Sequence, residues 1–363
     1  MGASVTDAGS STRQEIFQQP ALWPTTVERV SAAVRQSDLK KRLAAGRVLF
    51  TGAGTSAYAA TAAAAASPNA FAVPTTDLLI DAGRHLAGAA AVISLARSGQ
   101  SPESAAVVDT VKRFRPDIFQ LAITCNPDSA LTRAPIDQAV ILDPRTNDRS
   151  LVMTSSFSNL VLAGHCLLAP EAAATAVKDI SDQAGRLLPL LDQACKAAAD
   201  HVRDRMVVLS SSPLQGWAQE ARLKALEMTA GAFAVMAETF LGLRHGPMSF
   251  VREDTPVLCL FSSDLLRRLY EVDLLRELRA KKIGFLMGVA GQDAPAGLFD
   301  MTIPAVAPHL ADTLRAPFEI MAPQLLGYHL SLGRGLDPDN PSPGGVINRV
   351  VQGVFIHAPQ DSA

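Results

Sequence analysis

An apolar run that stops at a turn of glycines and hydroxyls, with a helical stretch directly behind it, occurs twice in the first third of this chain. That pattern narrows the fold more than any other. Arg47-Val-Leu-Phe-Thr51 runs into Gly52-Ala-Gly-Thr-Ser56 and then an alanine-rich helical stretch. Ala89–Ala96 runs into Arg97-Ser-Gly-Gln-Ser101. Ser101-Pro-Glu-Ser104 reads as a helix start, with Ser101 as N-cap and Pro102 at the first position. Asp117–Cys125 and Ala139–Leu142 read as a third and a fourth strand. Strands alternating with helices, with polar loops at the strand C-termini, predict an open parallel α/β sheet.

The pattern then restarts. A helical stretch over roughly 170–201 leads to the strand-like Arg205–Ser210, and Pro256–Phe261, Ile283–Val289 and Met301–Ile303 follow. The chain therefore reads as two α/β units of similar size, meeting near residues 185–203. Ahead of them, Ile16, Phe17, Trp23, Val27, Val30 and Val34 recur at near-helical spacing, broken by Pro20 and Pro24. This predicts a helical arm packed on the main body. Leu336–Gly345 is a turn-rich loop.

With 363 residues, 48 % hydrophobic and 19 % charged, the chain is long enough for one or two well-filled cores. A net charge of -2 gives no general attraction to nucleic acid, and none is expected as a partner. No apolar run is long enough to cross a membrane. The cysteines Cys125, Cys166, Cys195 and Cys259 form no CxxC, which fits a reducing, cytoplasmic setting. The N-terminal Met-Gly-Ala-Ser-Val-Thr has no secretory character; it meets the loose myristoylation pattern, which so short a match hardly supports.

The two glycine turns are candidate anion cradles. Gly52 and Gly54 let the backbone turn tightly, and the helix behind them offers N–H groups and a positive dipole end. Gly54, Thr55 and Ser56 from one loop, with Arg97, Ser98, Gln100 and Ser101 from the other, could converge on a phosphate. A rival stays open: Gly52-x-Gly54-x-x-Ala57, with Asp77 further on, also fits a relaxed dinucleotide fingerprint and so a nicotinamide-dependent oxidoreductase. The second serine-rich loop favours a phosphomonoester.

Gln219–Gly231 reads as a helix ended by Gly231, with Lys224 and Glu227 sharing one face. Read alone, Glu220, Lys224 and Glu227 make an ordinary solvated salt-bridge face. His245 stands in Arg-His-Gly-Pro, a loop that no helix continues through. An imidazole can give and take a proton at neutral pH, and a half-buried carboxylate can serve as general base. The remaining histidines are isolated, and no spacing suggests a metal site or a serine-hydrolase elbow.

Taken together, these segments resemble the sugar isomerase (SIS) domain family. The chain is similar to its tagatose-6-phosphate ketose/aldose isomerase group, whose members act as galactosamine-6-phosphate deaminases. Carrying the resemblance are Gln14–Pro20, Ser94–Ser104, Ile123–Asn126, Val152–Phe157, Leu223–Gly231, Pro338–Pro341 and Asn348–Gly353. It implies two tandem SIS domains, each a parallel-sheet three-layer α/β/α sandwich. The expected boundaries are an N-terminal helical arm at 1–40, SIS domains at 41–190 and 200–345, and a tail at 346–363. It also implies that Ser56, Ser98 and Ser101 bind a sugar phosphate. His245 would open the pyranose ring, reaching in from a neighbouring subunit of a homodimer. Glu227 would shuttle a proton between C1 and C2, with Lys224 beside it stabilising oxyanion charge. No metal or organic cofactor is called for.

The chain departs from the pattern in places. Ser210-Ser-Ser-Pro213 stands where relatives tend to have Gly-Ser-Gly-Pro, Met248 where lysine is frequent, and Val346 where an acid is often seen. The C-terminal lysine of related aminotransferases is missing, though Arg349 lies in that region. The expected function is deamination of an aldohexosamine 6-phosphate, galactosamine 6-phosphate first. Alternatives are a ketose/aldose phosphosugar isomerase, a deglycase of glycation products and a non-enzymatic sugar-phosphate regulator. A glutamine-dependent synthase is disfavoured, since the sequence begins close to the first SIS unit.

Overall fold

The computed structural model describes residues 8–351 and 353–357. The N-terminal Met-Gly-Ala-Ser-Val-Thr and Gln352 of the Asn348–Gly353 segment lie outside these. Two five-stranded sheets, both parallel, form the framework. In the first sheet β1 (Arg47–Gly52), β2 (Ala70–Pro74), β3 (Ala89–Ala96), β4 (Phe119–Thr124) and β5 (Gln138–Ile141) lie in the order β2-β1-β3-β4-β5. In the second, β6 (Arg205–Ser210), β7 (Ala234–Thr239), β8 (Pro256–Leu260), β9 (Phe285–Ala290) and β10 (Met301–Pro304) lie in the order β10-β9-β8-β6-β7. The α/β class holds. Two strands that the sequence reading missed, β2 and β7, both lie at sheet edges. Their residues are mostly half-exposed, as suits strands paired on one side only.

Alternation along β1 shows how the first sheet is covered. Leu49 packs on one face with Leu78, Val107 and Val111 from helices and with Leu86 from a turn. Phe50 points to the other face, where the helices Thr55–Ala64 and Ser155–Leu168 cross. A Cβ on Gly164 would come within 2.5 Å of the Ala63 Cβ and 3.2 Å of Phe50, so this crossing admits only glycine. In the second sheet Val207, Leu209, Val257 and Cys259 pack against Leu274, Leu275 and Leu278 of the helix Leu265–Lys281.

The chain packs as two compact units that are not continuous in sequence. The second-sheet unit takes the chain up to Pro20, Arg149–Thr154 and Asp179–Gly344. The first-sheet unit takes Ala21–Asp148, Ser155–Lys178 and the chain from Gly345. The arm expected at 1–40 is thus divided, its first helix, Ser10–Phe17, belonging with the second sheet. Asp339 anchors that helix, accepting from the amides of Ser11 (3.0 Å) and Thr12 (2.7 Å) and from the Thr12 hydroxyl (2.7 Å). This gives the Pro338–Pro341 segment a structural role. Among the described residues no helix is long and apolar enough to cross a membrane.

Candidate active site

β1 and β3 are hydrogen-bonded neighbours, with Thr51 opposite Ser94, so their C-terminal loops leave the sheet side by side. β2 lies beyond β1 and β4 beyond β3, which makes this the point where the strand order reverses. Open α/β sheets bind ligands outside the strand ends at such a point. Local chemistry explains why both loops turn here. A Cβ on Gly52 would meet the Ser56 carbonyl oxygen at 2.5 Å, and Gly54 has φ +56°. Gly99 has φ +60°, and a Cβ there would meet the Ser129 hydroxyl at 2.6 Å.

The helices Thr55–Ala64 and Pro102–Phe114 both open on these loops, and neither has a side-chain cap. Ser101 occupies the N-cap position as expected, but its hydroxyl pairs with that of Ser104 at 2.7 Å and leaves the amides of the first turn alone. Thr55 and Ser56 are buried at the start of their helix. Two uncapped N-termini of this length, flanked by hydroxyls, suit an anion.

Other members of the predicted set are engaged in building the loops. The Gln100 amide donates to the Asp128 carbonyl (2.9 Å), and its oxygen accepts from the Ala130 N–H (3.2 Å). Ser98 Oγ accepts from the Gln100 N–H at 3.3 Å. Arg97 is buried and donates to the Arg349 carbonyl at 2.9 Å. Three residues to which the sequence reading gave no role act here, Arg349 having been noted only for its region. Asn126 donates to the Ser98 carbonyl at 3.0 Å and so fixes the second cradle. Asp148 accepts from the amides of Ser155 (3.1 Å) and Ser156 (2.9 Å) and from both hydroxyls, capping the helix Ser155–Leu168. Arg349 donates to the Asp148 carbonyl and the Asn147 side chain (2.8 Å), pinning the tail beside the first sheet. The signal was present in the quoted Ile123–Asn126, Val152–Phe157 and Asn348–Gly353 segments. Cys125, in the same loop system, is no nucleophile, because burial pushes its thiol up to about 12.

In the second-sheet unit, Lys224 and Glu227 lie on the helix Gln215–Met228. The expected solvated face is absent: Lys224 and Glu220 have fully buried side chains. The Lys224 ammonium lies 3.2 Å from Glu220 Oε1 and 2.6 Å from Glu227 Oε2, and only Glu227, a quarter exposed, reaches the surface. The close packing of the helix Met321–Gly333 causes this, since Gly327 passes so near that a Cβ would meet Met228 Sδ at 2.9 Å. Burial alone would lower the Lys224 pKa; the two carboxylates outweigh it and hold the ammonium above its usual range.

His245 is exposed at the end of the short turn Gly242–His245 and makes no hydrogen bond or ion pair with Glu227 or Lys224. Its loop is fixed by buried Phe240 and Leu243 and by Arg244, 2.7 Å from Glu277. Met248, in the lysine position, packs against the second-sheet core. Asp77 is exposed on the helix Thr75–Ile80, past the end of β2.

Paired parallel sheets with glycine–serine loops at the point of reversal define a double SIS-domain protein. No protein-family model matches the chain. It is 35 % identical over 377 residues to the D-galactosamine-6-phosphate deaminase AgaS of Escherichia coli, with 96 % of each chain covered. The corresponding AgaS protein of Shewanella sp. (strain ANA-3) is 33 % identical over 366 residues, covering 95 % of this chain and 91 % of the relative. Among solved structures, a tagatose-6-phosphate ketose/aldose isomerase from Escherichia coli superposes with a TM-score of 0.87 at 31 % identity, over 99 % of this chain and 100 % of that one. The chain belongs to the AgaS family of SIS-domain proteins. That membership removes the nicotinamide-dependent alternative.

Proposed function

We propose that the chain deaminates an aldohexosamine 6-phosphate, galactosamine 6-phosphate first, to tagatose 6-phosphate and ammonia. The observation that carries this reading is the buried charge chain Glu220–Lys224–Glu227, which presents one carboxylate at the surface. The loops at Gly54–Ser56 and Ser98–Ser101 hold the phosphate through helix amides and hydroxyls. His245 moves the proton that opens the ring. Glu227 takes the proton from C2 of the open chain and returns it to C1, which turns the C2 amine into an imine. Water adds at C2 and ammonia leaves, giving the ketose. Because Lys224 is buried, it acts through Glu227, as a positioning residue that aims the carboxylate. A ketose/aldose isomerase uses the same proton transfer without loss of nitrogen, and the solved relative described by that activity supports it as a second reading.

Ammonia release from galactosamine 6-phosphate and glucosamine 6-phosphate tests the proposal. Glu227→Gln should cut release at least a thousandfold, while sugar-phosphate binding stays within about threefold of wild type. Release that persists in Glu227→Gln would remove Glu227 from the mechanism. Interconversion of tagatose 6-phosphate with its aldose, without ammonia from either amine, would favour the second reading.

Two finer points belong to the same reading. A homodimer in which His245 serves the neighbouring copy fits the exposure of that loop. A cytoplasmic location fits four cysteines that are all buried and unbridged. Fractionation of the native host with a periplasmic marker would refute the location if the chain partitioned with the marker.

A further inference from the structure

Read from the β7 edge, the second sheet runs β7-β6-β8-β9-β10, the same wiring as β2-β1-β3-β4-β5. The loops after β6 and β8 therefore hold the positions that the two cradle loops hold in the first sheet. They also carry comparable donors: the hydroxyls of Ser211, Ser262 and Ser263 and the amides of Ser262 and Ser263. Each of these is taken by a carboxylate of the chain itself. Glu271 accepts from Ser211 Oγ at 2.6 Å and from the Ser262 amide at 2.9 Å. Asp312 accepts from the Ser262 hydroxyl, and from Ser263 through its amide at 2.9 Å and its hydroxyl at 3.1 Å. A guanidinium completes the group: Arg315, fully buried, lies 3.2 Å from Asp312 and 3.1 Å from Glu319, and also donates to the Phe261 carbonyl at 2.7 Å. Arg267 approaches Asp312 at 3.4 Å.

This is more than an N-cap requires. Asp312 and Glu271 come from different helices, Asp312–Glu319 and Leu265–Lys281, and are buried together over the ends of β6 and β8. Buried carboxylates persist only when donors surround them, as they do here, and Asp312 has the counter-charge of Arg315 as well. Of the serines at 210–212, Ser210 and Ser212 stand where relatives tend to have glycine, while Ser211 stands where they too tend to have serine. Ser211 serves Glu271, while Ser210 donates to the Leu214 carbonyl at 3.2 Å.

We propose that Asp312 and Glu271 are built-in anions, occupying in the second sheet the place where the first sheet takes its ligand's phosphate. The second sheet is thereby closed to phosphosugars, and each chain binds one sugar phosphate, at the first sheet. The comparison of the two sheets rests on reading the β1 and β3 loops as the phosphate site.

The test is to remove an internal anion and offer inorganic phosphate. In Asp312→Ala, Ser262, Ser263 and Arg315 are left around an anion-sized gap. Near-saturating phosphate should raise the melting temperature of this variant by about 5–10 °C more than that of wild type. The extra rise should survive Ser98→Ala with Ser101→Ala, which disables the first cradle only. Should Asp312→Ala not fold, Glu271→Ala opens the same group from its other side and is read in the same way. Wild type titrated with galactosamine 6-phosphate should bind one molecule per chain, and the serine pair should abolish it. Two molecules per wild-type chain, or no phosphate-specific rise in either variant, overturns the inference. If the single sugar phosphate survives the serine pair, the reading of the first-sheet loops fails, while phosphate rescue still decides the built-in anions.

Discussion

Burial, more than any neighbouring charge, pushes the Glu271 carboxyl up to about 7; Asp312 adds to the rise, while Ser211, the Ser262 amide and Arg268 oppose it. A carboxyl raised in the folded state binds its proton more tightly there than in the unfolded chain. Its contribution to stability is complete below the unfolded value near 4.5 and is lost as pH rises through about 7. The shift corresponds to at most about 3 kcal/mol. Denaturant midpoints measured from pH 4.5 to 8 should therefore fall across this window in wild type, and Glu271→Gln should flatten that fall. Equal slopes would show that the carboxyl does not titrate there. At this scale, the sequence disclosed which residue types bear the chemistry but not their depth. Nothing in Gln219–Gly231 distinguishes the buried Lys224 from a surface lysine, because the cover comes from Gly327 on a remote helix. The segments around Asn126, Asp148 and Arg349 could be marked, but not what these three residues do, because most of their partners are main-chain groups, whose position no side-chain pattern encodes.

Among the elements, the crossing of Thr55–Ala64 with Ser155–Leu168 has little tolerance. The first of these helices begins in the β1 cradle, so a shift at the crossing is felt at the candidate phosphate site. Gly164→Ala should cost about 1–3 kcal/mol through overpacking and raise KM for the sugar phosphate more than it lowers kcat. Gly185, exposed in the helix Pro170–Ala199 with open space at its Cβ position, is the control. Gly185→Ala should stabilise by about 0.5–1 kcal/mol. Urea titrations of the two variants separate crowding from intrinsic propensity, and a neutral Gly164→Ala would show that the helices can slide. The central strands were legible from apolar runs ending in polar turns. Of the edge strands, β5 and β10 were legible in the same way, but β2 and β7 were not, since β2 ends at Pro74 and β7 at Glu238 and Thr239, residues that read equally well as loop.

For the molecule as a whole, the tandem plan could be read from the pattern's restart near Arg205, but the assignment of segments to units could not. Thr12 meets Asp339 only because the fold brings together residues 327 positions apart. The dimer proposed above also belongs to this scale. Leu265, Leu266 and Leu269 are at least 64 % exposed, and Tyr270 about half, on one end of the helix whose Glu277 holds Arg244. Such an apolar cluster suits the partner surface that the proposed dimer needs. Sedimentation equilibrium should give a dimer for wild type and a monomer for Leu266→Asp with Leu269→Asp, with ammonia release at least tenfold lower in the monomer. A fully active monomer would sink the shared-site arrangement.

The Thr12–Asp339 bond also has a consequence on the ribosome. At about 5–20 residues per second, the partner of Thr12 emerges roughly 15–65 s after Thr12 itself. Until then the amides of Gly9, Ser11 and Thr12 lack the Asp337 and Asp339 carboxylates that cap the first helix. A nascent chain released before residue 337 therefore keeps an uncapped leading helix, open to proteases, and only a chain read almost to its end can close it.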